Sequence, residues 1–380
     1  MEAIAVPVLD ALDSVRSWLL RTLLSFSFAK TIFVSRARRL QFLFLVVFFT
    51  SLILSAAAPL WVLAAGPLLY GFPHILASLR FSHHTLANKS LNRFQTPHHS
   101  LERASRTFQA LSMVWIAVLS FRLFTQFNFL KISSDIKAGN SPELLATVLT
   151  IIICRHIHTR AKYQTLISLM LLTPLALSSL YAPGTALGAL VLLHNFVAFA
   201  FWYRSCQSTD ERKVALKSLG LFTLANVAIF GGACDFINTA VCGSIRSILH
   251  DALCTEDIGR LIAPWSEDPT IYLRCAIAYA FGQSLHYFIW LKAMPDQFHT
   301  RSTPTTFRQS FHILTRDYGR HLVGGMTLFC AIGFAIYVCF EYSMARAIYF
   351  SFAAYHGYLE IAVLSFAVAG SYLRSKAMHG

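Results

Sequence analysis

The chain alternates long apolar runs with short polar connections, and the runs have the length of membrane crossings. A hydrocarbon core about 30 Å thick takes about 20 apolar residues in helix. Ten segments approach that length: 40–56, 58–80, 108–127, 142–154, 164–181, 185–203, 215–233, 271–291, 321–341 and 346–370. Ahead of them, the stretch from Val6 to Leu24 is apolar but interrupted by Asp10, Asp13, Arg16 and Arg21. No small-residue cleavage site follows it, so it reads as an amphipathic helix on a membrane surface and not as a secretory signal. No Gly-rich phosphate loop, internal repeat or low-complexity linker is visible. The pattern predicts an all-α, polytopic integral membrane helix bundle with three parts: a cytoplasmic amphipathic segment over 1–39, one transmembrane domain over 40–370, and a tail over 371–380.

Composition sharpens this picture. Of 380 residues, 56% are hydrophobic and only 13% charged, against about a quarter charged in an ordinary soluble chain. The formal charge of +14 raises nucleic acid as a partner, and the placement of the cations removes it. With the amino terminus inside, 25 of the 32 Lys and Arg fall in cytoplasmic segments. Six (Lys131, Lys137, Arg246, Arg260, Arg274 and Arg346) fall outside, and Arg122 lies within the third span. That bias places both termini in the cytoplasm with an even number of spans, as in a bacterial inner (plasma) membrane, and spreads the positive charge too thinly for a nucleic-acid footprint.

The longest outer connection, about 234–270, carries Cys234, Cys242 and Cys254, with Cys275 just inside the next span. One or two disulfides are expected there, where an oxidising compartment reaches them. The connectivity stays open among three pairings. The spacings lack the close Cys pairs of a zinc ribbon.

The chemistry sits in the histidines. Fifteen are present, and four fall at membrane depth: His74 in GFPHILAS, His194 in LLHNFVAF, His286 in GQSLHYFIW and His356 in AAYHGYLE. Their four spans run in one direction, and each histidine lies in the middle or inner half of its span, which permits one common layer. Intramembrane ionisable groups face a bundle interior or cavity. A neutral imidazole binds a metal through one nitrogen and is oriented through the other. Convergence on one metal ion is therefore expected, with packing histidines as the plain alternative. Glu360 follows His356 by one helical turn on the same face, as a proton-transfer group, an acceptor for an imidazole N–H, or a further ligand. Tyr287 adjoins His286 as a second candidate catalytic group. Gln283, one turn before His286, and Asn195, next to His194, are candidates to orient a cofactor. Gly71 and Pro73 are placed to kink the helix ahead of His74. Most other histidines lie in or beside cytoplasmic connections and do not form the HxxxH and HxxHH boxes of membrane desaturases.

The segments GFPHILAS at 71–78, HNFVAFAFW at 194–202 and FGQSLHYFIW at 281–290 are similar, in order and character, to motifs of the Brp/Blh family of membrane β-carotene 15,15′-dioxygenases. The resemblance departs at two places. Ser78 and Arg80 occupy the neighbourhood where an acidic residue is expected, and His286 stands alone where the family has a close histidine pair, so that His356 supplies the fourth ligand. The resemblance implies ferrous, non-haem iron held by His74, His194, His286 and His356, acting as an oxygenase or oxidase on a lipophilic substrate such as an isoprenoid (carotenoid) or acyl lipid. Whether that substrate is β-carotene, and whether an electron donor is needed, stays open. Three other classes remain at this level: a b-type haem electron-transfer protein, a proton-coupled transporter using the His and Glu360 cluster, and a structural or assembly protein whose outer loop is a docking surface and whose histidines only pack.

Overall fold

The structure is a computed structural model and describes residues 2–88, 98–126, 141–157, 173, 177, 183–238, 262–263, 265–298, 306–319, 321, 325 and 351–364. The fifth and ninth expected spans fall almost wholly outside the described residues, as do Cys242, Cys254 and the tail over 371–380. Every regular element among the described residues is helical: α1 (Glu2–Leu24), α2 (Ser27–Val34), α3 (Arg36–Ala57), α4 (Pro59–Gly66), α5 (Phe72–Asn88), α6 (His98–Gln126), α7 (Ser141–Ile157), α8 (Pro183–Ser205), α9 (Thr209–Phe230), α10 (Pro269–Phe288), α11 (Met294–Phe298), α12 (Phe307–Tyr318) and α13 (351–364).

Three of these helices are long and apolar enough to cross a membrane: Arg36–Ala57, Arg106–Phe124 within α6, and Thr209–Phe230. Their faces are sorted as lipid would sort them. In α3, Phe49 and Ile53 are each 57% exposed while Ser51 and Ser55 are buried. In α9, Leu224 and Val227 point outward and Ser218 is buried. Polar groups inside and large apolar groups outside is the arrangement a hydrocarbon solvent favours. The helices that carry the candidate histidines likewise bury their polar groups, His194 and Asn195 in α8 and Gln283 and His286 in α10.

The second expected span is not one straight helix. Five residues, Pro67–Gly71, form a π-turn between α4 and α5, and a second π-turn, Ile289–Ala293, joins α10 to α11. The first ends three residues before His74 and the second begins three residues after His286. Such wide turns are frequent at functional sites.

At the centre is α10, buried on nearly every face from Tyr272 to Phe288, as expected of a helix that is apolar all round. It packs on α3, α4, α8 and α9. Small residues allow the close approach: an added Cβ at Gly282 would lie 2.6 Å from the Asn195 amide nitrogen, and one at Gly188 would lie 1.9 Å from the Ile262 carbonyl oxygen. An aromatic knot of Phe44, Phe48, Phe199, Trp202, Phe281 and Phe288 fills the angle between α3, α8 and α10. On α13, Tyr358 stacks flat on Trp115 of α6, 4.6 Å between ring centroids, which fixes the rotation of the helix that carries His356.

The helix ends are tied by polar contacts. Buried Arg39 lies 3.6 Å from buried Asp296, whose other oxygen is 3.1 Å from Lys292 Nζ, so that α3 is joined to α11. Ser208 and Glu211 form a capping box at the start of α9. The Asp13 carboxylate of α1 accepts from the backbone N–H groups of Phe307 (2.8 Å) and Arg308 (3.1 Å) at the start of α12. The expected disulfides are corrected in part: Cys234 and Cys275 are buried free thiols, small apolar packing residues and not partners in a bridge.

Candidate metal centre

All four histidines expected at membrane depth converge. His74 comes from α5, His194 from α8, His286 from α10 and His356 from α13, and all four are buried. Ring centroids lie 4.7 Å apart for His74 and His356, 4.7 Å for His194 and His286, 5.3 Å for His286 and His356, and 5.3 Å for His74 and His286. His74, His286 and His356 each place a ring nitrogen within 4.8 Å of the other two. His194 stands at the edge of this trio, its ring 5.7 Å from that of His356.

Two of the rings are oriented by backbone. The Nδ1–H of His74 donates to the Tyr70 carbonyl (3.0 Å), in the π-turn, and the Nδ1–H of His194 donates to the carbonyls of Leu190 (3.0 Å) and Val191 (2.9 Å). A carbonyl only accepts, so these contacts set the tautomer and leave Nε2 as the ligating nitrogen in both. His286 and His356 approach each other Nε2 to Nε2 at 3.3 Å. Their Nδ1 atoms, and Oε2 of Glu360, find no hydrogen-bond partner among the described residues.

Glu360 is buried in the same cluster. Its Oε1 lies 2.9 Å from His356 Nε2 and 3.9 Å from His286 Nε2, and it accepts a hydrogen bond from Ser78 Oγ at 2.5 Å. A pocket with room for about one water molecule opens beside the rings, lined by Tyr279, Gln283, Tyr287, Leu190 and Ala354 as well as the four histidines. Leu190, Tyr279, Gln283 and Ala354 precede the histidines on their own helices and Tyr287 follows His286; Glu360, one turn past His356, is not among the residues that line this pocket.

The other expected residues are placed as follows. Tyr287 lies against His74, 4.6 Å between centroids. Gln283 faces the pocket. Asn195 is not brought into the cluster: its amide donates to the Val191 and Leu192 carbonyls and wedges against Gly282. Being next to His194 in sequence places it about 100° round the helix. Ser78 was not expected in the site, although it is one turn after His74 on the same face of α5, a spacing that flags it.

Comparison with known protein families, with curated proteins and with solved structures finds no match.

Proposed function

We propose that the protein is a membrane metalloenzyme whose buried histidines hold one ferrous, non-haem iron, and that it oxidises a lipophilic substrate. The reading includes ten spans with both termini in the cytoplasm, and the likeness of the histidine motifs to the Brp/Blh dioxygenases supports the choice of dioxygen chemistry. One observation carries it: three imidazoles from three helices, remote in sequence, each present a nitrogen within 4.8 Å of the other two in a buried place. Histidines that merely pack need a partner on a neighbouring helix, not one another. The 3.3 Å between Nε2 of His286 and Nε2 of His356 also matches about 3.3 Å between two donors at tetrahedral angles on an ion with bonds of about 2.0–2.1 Å.

The same geometry favours a bare ion over haem. The rings of His286 and His356 each meet those of His74 and His194 as well as one another, and a porphyrin needs its two axial imidazoles on opposite faces of a wide plane. When bound, a ferrous ion supplies the redox-active centre that oxidation of an unactivated hydrocarbon chain requires. The protein's own contribution is to hold His74 and His194 by their Nδ1–H groups, to keep bulk water out of a pocket about one water wide, and to offer Gln283 and Tyr287 as polar groups in its wall.

The test is elemental analysis of purified full-length protein together with its visible spectrum. The expected result is about one iron per chain and no Soret band, with His74→Ala, His286→Ala and His356→Ala each losing metal. Unaltered metal content in all three variants would refute the centre.

A further inference from the structure

We infer that Glu360 is itself a ligand to the metal, through Oε1, and that Ser78 is the positioning residue that aims it. This rests on the reading of the histidines as a metal centre and adds to it a carboxylate, which changes the donor set from imidazole alone to mixed nitrogen and oxygen.

Geometry is the first support. His356 Nε2, His286 Nε2 and Glu360 Oε1 are separated by 2.9, 3.3 and 3.9 Å. Three atoms so spaced lie on a circle whose radius, the product of the sides over four times the area, is about 2.0 Å, the length of a metal–imidazole or metal–carboxylate bond. One point is thus at bonding distance from all three. A carboxylate whose task was to orient an imidazole would meet Nδ1, the nitrogen turned away from the metal. Glu360 meets Nε2, on the side that faces His286.

Proton counting is the second. If no cation is shared, the three atoms present lone pairs to one another and only protons bridge them. A proton on His356 Nε2 points in one direction and serves either Glu360 or His286, so the other contact is left without a proton along its line. One cation satisfies all three atoms together.

Charge is the third. A divalent ion held by neutral imidazoles alone leaves two full charges in a low-dielectric interior, where uncompensated charge is costly. A carboxylate bonded to the ion removes one of them. Oxygen donors also shift preference away from copper(I) and toward iron or manganese.

Ser78 completes the arrangement. Its hydroxyl donates to the same oxygen at 2.5 Å, and it is buried on α5 one turn from His74. One face of α5 therefore supplies a ligand and the latch for another.

The experiment uses the full chain in lipid nanodiscs, stripped by chelator and titrated anaerobically with iron(II) against a chromophoric chelator. Glu360→Gln is expected to weaken iron(II) binding by more than about 100-fold, and Ser78→Ala by about 10- to 100-fold, the range for groups that orient a ligand. The infrared difference spectrum of the unaltered protein, iron-loaded minus stripped, is expected to show a carboxylate band shift that Glu360→Gln lacks. No carboxylate shift on loading, or Glu360→Gln binding within about 3-fold of the unaltered protein while His286→Ala loses iron, overturns the carboxylate ligand and leaves the histidine centre standing. Loss of no iron in any histidine variant overturns both. Should Glu360→Gln fail to fold, the spectrum of the unaltered protein decides by itself.

Discussion

Replacing Gly188 by Ala tests how tightly the frame around the histidines is built. An ideal Cβ there lies 1.9 Å from the Ile262 carbonyl oxygen and 2.9 Å from its carbon. Ordinary contact begins near 3.4 Å, so α8 and the 262–263 segment must separate by about 1.5 Å, the difference between those two distances. The obstacle is backbone, which has no rotamer to turn. Ile262 and Ala263 are themselves buried in a cluster with Tyr272, Cys275, Ala276 and Tyr279. Overpacking costs about 1–3 kcal/mol, and a fixed obstacle puts this site near about 3 kcal/mol, enough for a fall of several degrees in the apparent melting temperature. His194 lies six residues further along α8, about 9 Å at 1.5 Å per residue, so the displacement is felt at the site, where ligand distances tolerate only about 0.2 Å. Two other glycines serve as internal controls. At Gly282 the obstacle is the Asn195 side chain, which is able to turn, and at Gly220 nothing lies within 4 Å. The expected order of melting, read by fluorescence-detected size exclusion after heating, is Gly188→Ala lowest, Gly282→Ala intermediate, and Gly220→Ala at or above the unaltered protein, since Ala favours helix by about 0.5–1 kcal/mol. Equal melting of Gly188→Ala and Gly220→Ala would refute the reasoning.

Other consequences are open to direct measurement. Asp296→Asn, which leaves the buried Arg39 guanidinium without its carboxylate, is expected to cost about 3–5 kcal/mol, and Arg39→Met with Asp296→Leu to recover much of that loss in the same melting assay. Burial, together with the negative charge of Glu211, pushes the Cys206 thiol up to about 12. Almost no thiolate therefore exists at pH 8, and peptide mapping after maleimide treatment is expected to find Cys206 labelled only in denatured protein. Because the folded value is above the unfolded one, the stability this group contributes is fully present below the ordinary thiol range and is lost as pH rises toward 12. Asp13→Ala removes the acceptor of the Phe307 and Arg308 N–H groups and with it the tie between α1 and α12, at a cost of about 1 kcal/mol, and is expected to speed tryptic cleavage at Arg16 and Arg21.

The sequence made the site legible to the extent that membrane depth is legible. A histidine in an apolar run has few places to go, and counting positions along the four expected spans permitted a common layer for His74, His194, His286 and His356, whose rings lie together in the structure. Glu360 followed from helical spacing. Asn195 did not, because adjacency along a helix is not proximity to the same face. Ser78 escaped because an acid was sought near His74, whereas the acid arrives from α13 and the serine only receives it. The π-turns at 67–71 and 289–293 leave little trace in composition; Gly71 and Pro73 marked the first as a kink without giving its form. At Cys234 and Cys275, residue type and side of the membrane pointed to bridges, but burial made both into packing groups.

The hydrogen bond from Ser78 to Glu360 joins residues 282 positions apart. A nascent chain halted before residue 351 has made His74, His194 and His286 but neither His356 nor Glu360. The ribosome therefore releases its last contribution to the cluster after nearly all the other described helices have been made, and on the proposed metal reading the complete donor set exists only in an almost finished polypeptide. Metal supply during biogenesis is thus a question of folding order as much as of affinity.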